Sequence, residues 1–133
     1  MPMKTPPPTL LLVSGLEMIT TLLRELLADR RCRSLSANTT HEAIQIYSQH
    51  SEEIDLVLLD ADNLAVSPLW LLDALKAYNP AVKCVLLFGG MKPELQPVLQ
   101  QDSVYGVVTK PFFVQELLDV LEVALSAPLS VSE

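Results

Sequence analysis

Positive charge is scarce in this sequence. Nine Lys and Arg residues stand against sixteen Asp and Glu, a formal net charge of -7 over 133 residues. Without a basic surplus to neutralise phosphates, direct nucleic-acid binding is excluded as the main role. Docking on an anionic membrane surface is excluded for the same reason. Long apolar runs are also missing, and none reaches the ~20 residues of a bilayer-spanning helix. The opening Met1-Pro2-Met3-Lys4-Thr5-Pro6-Pro7-Pro8 has proline where a secretory signal needs an apolar core, so a cytoplasmic location is expected. Only two cysteines occur, Cys32 and Cys84, in separate strand candidates. They have no partner at metal-ligand spacing and read as reduced core thiols. What is plentiful excludes disorder: hydrophobic residues make up 50% and charged residues 19%. The length suits one domain with a sizeable core.

Strand and helix patterns alternate along the chain. Residues 1–8 read as a proline-rich leader, 9–127 as the globular domain and 128–133 as a tail. Thr9 to Val13 is an apolar strand. Leu16, Ile19, Leu22, Leu23, Leu26 and Leu27 then recur at helical spacing. Arg33 to Ala37 is a short second strand. Thr39 and Glu42 fit a capping box that opens a helix with Ala43, Ile46 and Tyr47 inward. Asp55 to Leu59 is the third strand. Ser67-Pro68 starts a helix to about Tyr78, with Leu69, Leu72 and Leu75 or Lys76 on its inner face. Lys83 to Phe88 is the fourth strand, broken by Gly89-Gly90. A weak helix spans Pro93 to about Gln101, with Pro97 removing a donor inside it. Tyr105 to Thr109 is the fifth strand, and Val114, Leu117, Leu118, Leu121 and Leu125 mark a last helix. Apolar strands without polar alternation need cover on both faces. A parallel five-stranded, doubly wound α/β sheet of flavodoxin-like (βα)5 form follows.

Active groups in such sheets gather at the carboxyl ends of the strands. Asp60 closes the run Leu56-Val57-Leu58-Leu59, and Lys110-Pro111-Phe112 follows the fifth strand. A carboxylate and a distant lysine at strand ends suggest a phosphoryl-accepting pair. The stretch Asp55-Leu56-Val57-Leu58-Leu59-Asp60 and the stretch Val108-Thr109-Lys110-Pro111-Phe112, in that order, resemble the CheY-like receiver domains of response regulators. The resemblance covers about Thr9 to Ala127. It implies a switch phosphorylated by a histidine kinase. Asp60 matches the phosphoacceptor, Lys110 the phosphoryl-contacting lysine, and Asp62 the position whose backbone carbonyl helps bind Mg²⁺. It also implies a cis Lys110-Pro111 bond.

The departures from that family define the expected function. Ser14 and Gly15 stand where the family has its acidic Mg²⁺ ligands. Phe88 stands at the switch Thr or Ser, Val107 at the aromatic switch residue, and Leu64 at a usual proline. Phosphoryl transfer to a carboxylate needs a bridging cation. Only Asp60 is a dependable ligand here, with Glu17 and Asp62 as weak substitutes. The expectation is a degenerate receiver that is not an enzyme, needs no cofactor, and takes Mg²⁺ only if Asp60 is phosphorylated. It would bind a two-component partner, a histidine kinase, an output protein or a second copy, without phosphorylation. A direct Asp60–Lys110 pair should then hold one conformation, and Trp70, beside the inner helix face, is the candidate interface anchor. Two alternatives stay open: a true phosphoacceptor at Asp60, and a flavodoxin-like small-molecule binder or enzyme. Ser14 is expected as a helix N-cap rather than a nucleophile, because no histidine is placed to activate it.

Overall fold

The apolar strands form where their runs predict them and have core on both sides, whereas the second strand, Arg33–Ala37, carries Arg33, Ser34 and Ser36 at the edge of the sheet. A computed structural model describes residues 7–126, so the leader and tail lie largely outside the described residues. The strands are β1 (Thr9–Val13), β2 (Arg33–Ala37), β3 (Leu56–Asp60), β4 (Cys84–Phe88) and β5 (Val104–Thr109). They form one parallel sheet in the order β2-β1-β3-β4-β5. The helices are α1 (Glu17–Ala28), α2 (Thr40–His50), α3 (Pro68–Lys76), α4 (Gln96–Leu99) and α5 (Val114–Ser126). Single 3₁₀ turns lie at Ala61–Asn63 and Pro93–Leu95.

Successive side chains of a strand point to opposite faces, and in the central strands β1, β3 and β4 both faces are core. Leu11, Val13, Val57, Leu59, Leu86 and Phe88 pack under α2, α3 and α4. Leu10, Leu12, Leu56, Leu58, Val85 and Leu87 pack under α1 and α5. Two cores back to back account for the unbroken apolar runs. They also fix the register, since a slip of one residue would exchange the two faces.

Local chemistry ends the elements. Thr39 accepts from the Glu42 N–H at 3.0 Å. The Glu42 carboxylate reaches the Asn38 N–H at 2.7 Å, one residue earlier than a reciprocal box requires. Ser67 caps α3 by accepting from the Trp70 N–H, with Pro68 in the first turn.

Several boundaries and faces differ from the sequence reading. Asp55 precedes β3, because its carboxylate accepts the Thr9 N–H at 2.9 Å and ties two strand starts together. Lys83 precedes β4, and its ammonium donates to the Ala124 carbonyl at the end of α5. The inner face of α3 is Pro68, Leu71, Leu72 and Leu75, with Leu69 only partly buried. The expected weak helix divides into the 3₁₀ turn and the four-residue α4. Pro97 falls in the first turn of α4, where its missing donor costs nothing. A register irregularity between β4 and β5 falls at Tyr105, since Cys84 pairs with Val104 but Val85 with Gly106.

Candidate functional site

The sheet brings the ends of β1, β3 and β5 together, and the sequence-predicted carboxylate and lysine meet there. Asp60 is the last residue of β3 and is only 1% exposed. The Lys110 ammonium lies 2.7 Å from its Oδ1. Lys110 follows β5, and its own N–H is held by the Phe88 carbonyl at 2.8 Å. The Lys110–Pro111 peptide is cis.

The second oxygen of Asp60 is also occupied. Ser14 Oγ donates to Oδ2 at 2.8 Å, and so does Asn63 Nδ2 at the same distance. A buried carboxylate that accepts three donors, one of them charged, is well satisfied. Ser14 is itself buried and fully engaged. Its hydroxyl accepts from the Leu16 N–H, and its carbonyl accepts from Asn38 Nδ2. This corrects the N-cap expectation: Leu16 precedes α1 without a side-chain cap. Ser14 stands two residues ahead of the helix's cap position, so its hydroxyl accepts the Leu16 N–H before α1 begins while its own proton goes to Asp60 Oδ2.

Gly15 brings the turn after β3 down onto β1. Its N–H donates to the Asn63 carbonyl at 2.7 Å, and a Cβ at Gly15 would lie 2.7 Å from that oxygen. Any side chain here, acidic ones included, would displace the Ala61–Asn63 turn. Mg²⁺ asks for several oxygen ligands in near-octahedral array. Here the Asp60 oxygens face two neutral donors and an ammonium, and Ser14 and Gly15 offer no carboxylate beside them. The residues present do not fit that ion as they are arranged. Among the described residues, no group of three or more His, Cys, Asp and Glu side chains converges.

The other predicted positions separate. Glu17 lies exposed in the first turn of α1 and, among the described residues, makes no ion pair or hydrogen bond to Asp60. Asp62 is close: its carboxylate accepts the Gly89 N–H at 2.6 Å and lies 3.4 Å from Lys110 Nζ. Phe88 is buried in the core under α2, α3 and α4, where it offers no polar group to the site. Val107 is 41% exposed on β5. Trp70 is 54% exposed on α3 and so is not part of the core.

Asn63 and Asn38 are members of the network that sequence reasoning missed. Asn63 had a signal, because an amide three residues after a buried carboxylate can reach back to it. Asn38 reaches Ser14 across 24 residues, and only the β1–β2 register reveals that contact.

No protein-family model matches the sequence, and no curated protein matches it. Solved structures do match. A signal receiver domain of an HD domain-containing protein from Pseudomonas fluorescens Pf-5 aligns with a TM-score of 0.78 and 28% identity, covering 89% of this chain and 94% of that one. A response regulator receiver domain from Clostridium thermocellum aligns with a TM-score of 0.80 and 19% identity, over 89% and 94%. The chain has the CheY-like receiver fold. A chain of the CheX–CheY–BeF3–Mg²⁺ complex from Borrelia burgdorferi also aligns, at TM-score 0.77 and 17% identity over 86% and 87%.

In open α/β sheets ligands generally bind outside the carboxyl ends of the strands, the end that holds Asp60 and Lys110. A depression of about 440 Å³ lies at the opposite end of the sheet, lined in part by Ser51, Asp55, Asn79 and Lys83. Among the described residues, no helix is long and apolar enough to cross a membrane.

Proposed function

We propose that this chain is a protein-interaction module of a two-component or phosphorelay pathway that works without phosphorylation of Asp60. The observation that carries the reading is the saturated Asp60 carboxylate. It is buried, held by Ser14, Asn63 and Lys110, and covered by a turn seated on Gly15. An attacking carboxylate oxygen must lose its donors and gain a bridging cation. Here both oxygens keep donors, and the positions beside them carry a hydroxyl and no side chain. The Asp60–Lys110 contact is the static equivalent of a switch: a fixed pair that holds β3 and β5 in one arrangement. Binding then falls to the surface. Half-exposed Trp70 on α3 is the anchor in this reading, since exposed tryptophans are typical of interface centres. A histidine kinase, an output protein or a second copy is the class of partner, and the domain lies in the cytoplasm.

The test is an intact mass after incubation with Mg²⁺ and acetyl phosphate, with Asp60→Ala alongside. The expected result is no phosphoryl adduct on folded protein. An adduct that needs Asp60 would defeat the reading and establish a true phosphoacceptor. With no adduct, sedimentation of the chain beside Trp70→Ala asks whether the partner is a second copy.

A further inference from the structure

Asp62 joins several segments at the mouth of the site. Its side chain reaches the start of the β4–α4 connection. There Oδ2 accepts the Gly89 backbone N–H at 2.6 Å and lies 3.4 Å from Lys110 Nζ. Lys92 Nζ lies 4.0 Å from Oδ1. Three donors from β4's end, β5's end and the loop between β4 and α4 thus converge on one carboxylate. The Gly89 bond is the shortest of these contacts, as expected for an amide facing a charged acceptor. A Cβ at Gly89 would stand 3.2 Å from Asp62 Oδ2, a tight contact that a few tenths of an ångström of carboxylate movement relieves.

The local charge explains what the carboxylate does. Asp60 and Asp62 balance Lys110 and Lys92. Without Asp62, the Gly89 N–H and two ammoniums would face one remaining carboxylate, which is buried and already satisfied. That leaves a surplus positive charge and an unoccupied amide at the mouth of the site. We propose that Asp62 is a tethered anion occupying a latent oxyanion site formed by the Gly89 N–H, Lys110 and Lys92. It clamps the turn after β3 to the loop after β4 and excludes phosphate-class anions from those donors. This rests on the reading that Asp60 stays unmodified, and it adds how the site is held shut.

The experiment uses the full chain, ¹⁵N-labelled, with Asp62→Ala and Asp62→Asn, and inorganic phosphate as the probe at constant ionic strength without Mg²⁺. In the unaltered chain the Gly89 amide proton should resonate well downfield and ignore phosphate. In both variants it should move upfield, and phosphate should return it downfield along a saturable curve, at least tenfold tighter than any effect on the unaltered chain. A Gly89 amide that does not move on substitution would overturn the proposal. So would phosphate titrations alike in all three proteins, or variants that take up no phosphate. The Asn variant keeps the side-chain shape, and loss of the fold in both would also count against it, because a clamp between exposed loops is dispensable to the core. A phosphoryl adduct on Asp60, which would defeat the proposed function instead, is read separately by mass with acetyl phosphate.

Discussion

A single buried carboxylate sets the character of the site, and its cost depends on its partners. Asp60 is excluded from water, so its charge is tolerable only while Lys110, Ser14 and Asn63 donate to it. Removing one partner of a buried pair usually costs more than the pair itself contributes, because the other charge is stranded. Lys110→Ala should therefore destabilise the fold by ~2–4 kcal/mol, and Ser14→Ala, which deletes one neutral donor, by ~1–2 kcal/mol. The double change Asp60→Ala/Lys110→Ala should cost clearly less than the two single changes added together. Urea denaturation of the four proteins measures this cycle. Strict additivity would mean that the two groups do not depend on one another. Asp60 and Lys110 were legible in the sequence because each closes an apolar strand. Ser14 was legible as a missing acid and was read as a helix cap, not as a donor to Asp60. Its bond to Asp60 spans 46 residues, and no local pattern records it.

Among the elements, glycine shows which contacts are tight. No glycine here has positive φ, so what matters is the space around each. At Gly15 a Cβ would lie 2.7 Å from the Asn63 carbonyl, a backbone atom anchored by the 3₁₀ turn. At Gly106 a Cβ would meet Val120 Cγ1, also at 2.7 Å, but a side-chain methyl on α5 can move further than a backbone carbonyl. At Gly90 nothing lies within 4 Å. Gly15→Ala should thus cost the most, ~1–3 kcal/mol as in other overpacked sites, and Gly106→Ala less. Gly90→Ala should be neutral or stabilising by up to ~1 kcal/mol, since alanine restricts the unfolded chain. Chemical denaturation ranks the three, and a Gly15→Ala protein as stable as Gly90→Ala would show that the turn does not rest on β1. The same contact shows why element order was easier to read than the site. Periodicity marks β1, β3 and their flanking helices, whereas the seating of Ala61–Asn63 on Gly15 depends on two loops that carry no periodic signal. The inner face of α3 was misread by one position for a related reason. Leu69, Leu71, Leu72 and Leu75 are all apolar, and only the direction in which α3 crosses the sheet decides which of them is inward.

At the scale of the whole molecule, the two cores bury groups that would otherwise ionise in alkali. Burial pushes the Cys84 thiol from 9.0 up to about 12. Burial likewise pushes the Tyr47 phenol from 10.0 up to about 12, partly opposed by its hydrogen bond with Asn79. Cys32 is raised by the same cause. All three are neutral when protonated, and a raised value means that the folded state keeps the proton more tightly than the unfolded chain. Their contribution is therefore fully present below about pH 9. It is lost as the pH climbs towards about 12, because the unfolded chain then releases protons that the fold still holds. Stability measured by urea should fall across that window. Lysines also lose charge there, so the variants isolate the effect: Tyr47→Phe and Cys84→Ala should each show a shallower fall than the unaltered chain, whatever their stability at neutral pH. A thiol reagent gives an independent reading, since only the thiolate reacts. Cys84 should stay unlabelled at pH 8 in the folded protein and label rapidly in urea. Fast labelling without denaturant, or identical alkaline slopes in all three proteins, would mean that the sheet opens far more often than two closed cores allow. That openness would also undermine the fixed Asp60–Lys110 arrangement, because the ends of β3 and β5 keep their spacing only while both faces of the sheet stay covered.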